Sequence, residues 1–145
     1  MSRTMTKDER QDFLAEARIG ILSVADGERG PLASPVWYEY DQGGDLWFLT
    51  QSDSRKGRLL LEGGRASLCV QHTEPPYKYV SVEGPIVGIE AYDVERDLLP
   101  MAQRYLGAEG GRAYADGMVE KAAKGNSIKV HIRPEHWLTV DRETI

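Results

Sequence analysis

The sequence predicts a mainly β domain with inserted helices, in which six or more antiparallel strands curl into a closed or nearly closed barrel. Three observations carry that prediction. Short apolar segments alternate with turn residues, and the connections between the first three are too short for parallel crossovers. A long strand pattern over residues 77–90 is interrupted by Gly84-Pro85, where a bulge or sharp bend lets a strand turn a corner of a curved sheet. Helical patterns fall between strands, and closing the sheet also disposes of its exposed edges.

Each element follows from local chemistry. Thr6 and Glu9 have capping-box spacing, and Phe13, Leu14 and Ala17 form one apolar stripe, so residues 7–17 are expected to be helical, with Gly20 as the stop. Residues 19–25 read as a strand, 26–30 as a turn, and 33–40 as the second strand of a hairpin. A turn at 41–45 leads into a third strand at 46–50. Residues 49–61 then run from apolar strand through a polar turn into a short basic helix, for which Ser52 or Asp53 is the expected cap. Gly63-Gly64 closes that helix, 65–71 is a strand, and Pro75-Pro76 imposes an extended loop. A helix is expected from Asp93 to about Leu106, kinked or restarted at Pro100, and another over 112–124, closed by Gly125. Ile128, Val130 and Ile132 alternate with Lys129, His131 and Arg133 in a half-wet strand, which 137–140 continues beyond Pro134. There is no internal repeat, linker or low-complexity tract, and residues 1–145 are read as one domain.

Composition bounds the function. The 145 residues are 41% hydrophobic and 28% charged, with a formal net charge of −5. No apolar run is long enough for a membrane span, and the N-terminus turns acidic where a signal peptide needs an apolar core, so a cytoplasmic protein is expected. A pI near 5.2 argues against general nucleic-acid binding. The lone cysteine, Cys69, excludes an internal disulfide and reads as a small core residue rather than a nucleophile.

Against that acidic background, residues 51–65 hold four basic and two acidic side chains. A helix start with free backbone N–H groups, flanked by Arg55 and Lys56, is suited to an anionic ligand such as a phosphate. Hydrolytic, nucleotide-loop and dinucleotide motifs are absent, and no Cys or His pair has metal-ligand spacing across a continuous element. His131 and His136 read as surface residues, His72 as loop polarity, and Glu83 as a partner for a basic residue. Tyr38 and Trp47 are assigned to core or interface, Trp137 to packing, and Trp37 to a ligand cleft on the face opposite Val36 and Tyr38. No catalytic side chain is named. Bound-cofactor redox chemistry fits such a chain, because the cofactor carries the reactive atom and the protein supplies position and shielding.

The order of elements, together with Gly20-Ile21-Leu22-Ser23-Val24, Ser34-Pro35-Val36-Trp37-Tyr38, Thr50 with Arg55-Lys56, Arg65-Ala66-Ser67-Leu68 and Tyr79-Val80-Ser81-Val82-Glu83-Gly84, resembles the flavin-binding split β-barrel family that includes pyridoxamine 5′-phosphate oxidase. The resemblance runs from about Arg18 to Val140 and is strongest to short proteins that use the deazaflavin coenzyme F-420, with FMN-binding relatives next. It implies an FMN-binding type split barrel and a homodimer with two cofactor clefts, each lined by both chains. It further implies a flavin- or deazaflavin-dependent oxidoreductase acting on a small molecule, or alternatively a non-catalytic carrier. Pyridoxine metabolism is not expected, because the oxidase's C-terminal extension with its arginine and histidine has no counterpart. Carried over by position, Lys56 and Arg55 hold the phosphate, while Thr50, Gln51 and Ser52 offer hydroxyl and backbone contacts. Pro35, Val36 and Trp37 lie along the ring, and Tyr77 and Lys78 stand beside the cofactor. Ser54 and Gly57 depart from the larger or basic residues frequent in relatives, which leaves Arg58 as a further candidate grip.

Overall fold

The computed structural model describes residues 2–142; Met1 and residues 143–145 of the expected 1–145 domain lie outside the described residues. The first element is helix α1 (Lys7–Ala15), where Thr6 accepts from the Glu9 N–H and Glu9 reaches back to the Thr6 backbone, the reciprocal cap that the spacing predicts. It ends before the expected residue 17, because Glu16 is already extended. Gly20 is no helix stop. It opens strand β1 (Gly20–Asp26), and a Cβ there would lie 2.6 Å from Leu68 Cδ1, so its smallness serves sheet packing.

β2 (Arg29–Val36) returns antiparallel along β1, with Leu22 opposite Ser34. The expected strand over 33–40 breaks after Val36 and resumes only as β3 (Glu39–Tyr40). The reason is visible at Tyr38, whose N–H donates to the Tyr105 hydroxyl at 3.2 Å while its carbonyl stands 3.1 Å from the same oxygen. A side chain from a distant helix thus takes up the backbone N–H that a ladder would otherwise satisfy.

β4 (Leu46–Gln51) pairs with β3, not with β2, and leads into α2 (Arg55–Leu61). β5 (Arg65–Gln71) matches its predicted span, and Gly63 and Gly64 precede it at φ 87° and 99°, a conformation open to glycine. β6 (Lys78–Ala91) is the longest strand. A π-helical turn (Val94–Leu98) then leads into α3 (Leu99–Gly117), where Pro100 stands at the helix start and so begins the helix instead of kinking it. The interruption falls at Gly107 (φ 83°, ψ 171°), and the second half folds back so closely that a Cβ on Gly111 would meet Gln103 Cα at 2.4 Å. α4 (Val119–Ala122), β7 (Ser127–Ile132) and β8 (His136–Asp141) complete the chain.

The strand path runs β2-β1-β5-β6-β7-β4-β3, with β8 paired to β6, and every pairing is antiparallel. The two ends of the path, β2 and β3, do not pair, so the eight-stranded sheet is not closed. This is a split barrel held together by β6. Residues 78–83 of β6 pair with β8 and residues 79–85 with β5, whereas residues 86–91 pair with β7. The crossing point is Gly84-Pro85-Ile86, as the interrupted pattern predicts, and the register shift follows between Ile86 and Gly88.

Between the two halves of the sheet sits one apolar core that includes Leu22, Phe48, Leu68, Val80, Val82 and Ile132, with Leu14 of α1 and Leu60 of α2 against it. Tyr38 is fully buried there, its hydroxyl donating to Leu14 O at 2.7 Å. Cys69 alternates with the buried Leu68 and Val70 and so stands half-buried on the outer face of β5, which corrects its assignment to the core. Glu83 pairs with Arg65 (3.1 Å), and Trp137 packs edge-on to Tyr40 with the Arg10 guanidinium 4.5 Å from its centroid.

A Cβ on Gly84 would lie 1.7 Å from Arg133 O, so alanine at this position must push the β7–β8 connection away from β6. Gly84→Ala is expected to destabilise the fold by about 3 kcal/mol, at the upper end for overpacking, whereas Gly30→Ala, on an open surface, is expected to stay within about 0.5 kcal/mol. Denaturant midpoints of the two variants check this.

Candidate functional site

A cavity of about 450 Å³ opens between the end of β2, the end of β4 and the helices that follow β6. That volume is within the usual range for small-ligand sites. Its sheet wall is Pro35, Val36, Trp37, Leu49, Thr50 and Gln51, with Ile19 at the entry to β1 and Lys56 from α2. Its helical wall is Tyr92, Leu98, Met101, Tyr114, Met118 and Lys121.

α2 is set on the end of β4 by a short chain of contacts. Its cap is Ser54, not Ser52 or Asp53: the Ser54 hydroxyl accepts from Gly57 N–H at 3.0 Å and donates to Gln51 O at 2.7 Å. The Ser52 N–H is already donated to Asn126 O at 2.7 Å, which ties the turn to the start of β7. Gly57 lies against the same carbonyl, since a Cβ there would fall 1.9 Å from Gln51 O. No side chain fits at that position, which is the physical reason for this departure from a larger residue. Gln51 is steadied in turn by the Ser127 hydroxyl, which donates to its Oε1 at 3.2 Å.

This docking decides where the basic residues go. Arg55 forms an ion pair with Asp26 at the β1–β2 turn, and Arg58 turns back to donate to Asp53 O at 2.6 Å. Lys56, between them in sequence, faces the cavity half-buried, and its side chain has no hydrogen-bond or ion-pair partner among the described residues. Burial pushes its ammonium below the ordinary lysine range. With only seven residues, α2 matters here chiefly for placing that one charge.

The structure therefore brings together Pro35, Val36, Trp37, Thr50, Gln51 and Lys56 at one cavity. It does not bring Ser52, Arg55, Arg58, Tyr77 or Lys78 to that lining within the chain. Tyr77 is exposed ahead of β6, and Lys78 sits 3.9 Å from Asp141 in a separate depression lined by Met5, Glu9 and Phe13. Val36 and Trp37 both line the cavity, although strict alternation would have parted them, because the strand ends between them.

Sequence reasoning missed the whole helical wall. A signal was present: Tyr114, Met118 and Lys121 recur at helical i, i+4 and i+7 spacing, one face of the predicted 112–124 helix. Trp37 joins the two walls, with its ring stacked on Tyr105 (centroids 5.0 Å, 26°) and tilted against Tyr114 (5.0 Å, 51°). Tyr105 is held by its hydroxyl, which lies 2.8 Å from Arg18 O, so the orientation of Trp37 is fixed from behind.

The lining offers hydroxyls, an amide, aromatic and thioether surface and two ammonium groups. It holds no histidine, cysteine or carboxylate. His72 is outside it, with Nδ1 2.7 Å from Glu74 O. Among the described residues no group of three or more His, Cys, Asp or Glu is placed to hold a metal ion, and no helix is long and apolar enough to cross a membrane. Such a lining is suited to binding and shielding a ligand.

Comparison with known proteins agrees with this architecture. The family model described as pyridoxamine 5′-phosphate oxidase matches residues 6–141. The chain belongs to that family. No curated protein matches it, but solved structures do. A structure described as an F420 reductase is 21% identical over 88% of this chain and 94% of its own, with a TM-score of 0.72. A conserved hypothetical protein of Mycobacterium tuberculosis is 23% identical over 96% of this chain and 86% of its own, at 0.75. An FAD- and heme-binding protein of Mycobacterium smegmatis is 16% identical over 97% and 72%, at 0.66. At these identities the likeness is one of fold.

Gly57→Ala is expected to shift α2 away from Gln51 and lower the affinity of the cavity for an anionic ligand by about tenfold, through displacement of Lys56. Ligand titration of the variant checks this, with circular dichroism to show that the fold persists.

Proposed function

We propose that this protein is an oxidoreductase that holds the reduced deazaflavin coenzyme F-420 in the Lys56 cavity and passes hydride to a conjugated organic acceptor. The observation that carries this reading is the half-buried Lys56, without a hydrogen-bond or ion-pair partner among the described residues, beside an apolar and aromatic wall in an otherwise acidic chain. That donor set fits a planar ring bearing a phosphate. Lys56 is positioned for the phosphate, with Thr50 and Gln51 beside it, and Pro35, Val36 and Trp37 form the surface for the ring. When bound, the coenzyme supplies the hydride. The chain's own part is to fix the ring against Trp37, keep water from it with Met101, Met118 and Leu98, and leave the acceptor a path past Tyr114, which is 42% exposed.

The runner-up is an FMN-dependent reductase or oxidase, and one observation favours it. A lactyl-oligoglutamate tail calls for positive charge beyond the phosphate, yet Arg55, Arg58 and Lys78 are each directed elsewhere within the chain. The relative described as an FAD- and heme-binding protein is consistent with a third reading, a carrier without turnover. Anaerobic titration with both coenzymes, followed by an acceptor screen, separates the three. Tighter deazaflavin binding with acceptor reduction supports the proposal. Tighter FMN binding moves it to the runner-up, and binding with no turnover on any acceptor supports the carrier.

Lys56→Ala is expected to leave the fold intact and weaken coenzyme binding by about ten- to a hundredfold, the loss of one charge-assisted contact at a shielded phosphate. Because only the ammonium form binds an anion, and burial lowers its pKa, wild-type affinity is expected to fall as pH rises, at lower pH than an exposed lysine would give. Lys56→Arg, charged throughout, is expected to flatten that decline. Titrations at neutral and alkaline pH check both.

We also propose a homodimer. On the outer face of the sheet the ladders align Pro35, Ile21, Cys69, Ser81 and Leu138 in one uncharged row. Ile21 is 42% and Leu138 60% exposed, and the row begins at Pro35, a cavity residue. A second copy seated there lies against the cavity mouth and could bring its Tyr77 and Lys78 to it. An interface of at least about 1,200 Å² in total is expected, so sedimentation at micromolar concentration should give twice the 16.2 kDa chain mass. Leu138→Asp should shift the protein toward monomer and lower coenzyme affinity with it.

A further inference from the structure

Two cations line the cavity, and sequence reading and family resemblance point to only one of them. The second is Lys121, on α4, which reaches the cavity from the helical wall while Lys56 reaches it from the sheet side. Neither side chain has a hydrogen-bond or ion-pair partner among the described residues. The contrast with neighbouring basic residues is sharp: Arg55 holds Asp26, Arg112 holds Glu95 and Asp116, and Lys129 holds Asp97. Acidic residues outnumber basic ones 23 to 18 in the chain, so partners are not scarce. Two ammonium groups line one partly shielded cavity that has no carboxylate in its lining, a charge distribution that favours an anion between them.

We propose that Lys121 is a second anion-binding residue of this cavity, so that the anionic part of the ligand is gripped by lysines from two separate elements and carries at least two negative charges. The proposal rests on the coenzyme reading for its ring, and it adds that the charge on the ligand must be double. Two sources satisfy that chemistry. A phosphate monoester, as in FMN, carries both charges on one group. A phosphodiester with a carboxylate beyond it, as in the deazaflavin coenzyme, carries them on two. In the second case Lys121 supplies the positive charge beyond the phosphate that Arg55, Arg58 and Lys78 do not supply within the chain. α4 is also tied to the phosphate side of the site, since the Asn126 carbonyl that follows it accepts from Ser52 N–H in the turn before α2.

The test is binding, read by isothermal titration on the full chain. Lys121 is exposed, so its replacement leaves the fold undisturbed. Lys121→Gln is expected to weaken the coenzyme that the wild type prefers by about three- to tenfold, less than at the half-buried Lys56 because solvent screens an exposed charge. Lys121→Arg is expected to restore most of that loss. Riboflavin, which has the ring without the phosphate, should bind the wild type and Lys121→Gln alike. A loss seen with FMN and with the tail-less deazaflavin places Lys121 at the phosphate; a loss confined to the full-length coenzyme places it at a tail carboxylate. Either supports the proposal. Unchanged affinity for every coenzyme in Lys121→Gln, or an equal loss for riboflavin, overturns it. If the wild type binds none of these coenzymes, the coenzyme reading fails, and inorganic pyrophosphate then decides the lysine pair. Pyrophosphate binding that weakens in both Lys56→Ala and Lys121→Gln upholds it, and no pyrophosphate binding overturns it as well.

Discussion

The rest of the structure depends on the close passage of two backbones at Gly84, where β6 crosses from one half of the sheet to the other under the Arg133 carbonyl. Among the described residues β6 is the only strand that belongs to both halves, pairing with β5 and β8 before the crossing and with β7 after it. A side chain at that point would fill the space the β7–β8 connection occupies. The approach is sealed by hydrogen bonds on either side, from Arg133 N–H to Pro85 O (3.1 Å) and from Glu135 N–H to Glu83 O (3.0 Å). Proline at 85 has no N–H to lose there, so the Gly-Pro pair suits a place where one strand leaves one ladder for another.

From that crossing the site follows by connection. β7 leaves the crossing to pair with β4, and the β4–α2 turn is bonded to the residue before β7 through Ser52 and Asn126. α2 therefore sits where the second half of the sheet puts it, and Gly57 lets it sit there without a gap. On the opposite wall, the helices after β6 are fastened to the split between β2 and β3 by Tyr105, which accepts from the Tyr38 N–H and backs Trp37 at once. The open seam of the barrel is thus not a defect in closure. It is the place where a helix replaces a strand, and the cavity lies along it.

This explains what the sequence could and could not disclose. Capping boxes, turn glycines and period-two alternation are local, and the elements they mark, α1, β5 and the bent β6, stand close to their predicted positions. The break after Val36 was illegible because the cause is 67 residues away at Tyr105. The cap of α2 was misread for a subtler reason: Ser52, Asp53 and Ser54 are all good capping residues, and which one caps is settled by Gly57 docking on Gln51. The sequence marked residues 51–58 as a basic locus, but charge composition does not say which side chains are already paired. Asp26 and the Asp53 carbonyl remove Arg55 and Arg58 from the cavity, and both contacts are visible only in three dimensions. Cys69 fell on the wrong face for a related reason, since alternation fixes which residues share a face but not which face is the core.

The state of Lys56 has its own logic. A half-buried ammonium without a counter-charge is less stable than one in water, which is what its lowered pKa expresses. A carboxylate nearby would relieve that, and the adjacent Arg55–Asp26 pair shows that such a solution is reachable from the same helix. An internal carboxylate, however, would compete with any anionic ligand and would have to be displaced for each molecule bound. Leaving the lysine unpaired keeps the electrostatic gain for the ligand, at the expense of some stability in its absence. The same reasoning extends to the absence of acidic groups from the whole lining: in a chain with five more acidic than basic residues, a cavity whose only charges are two lysines has a composition suited to holding an anion.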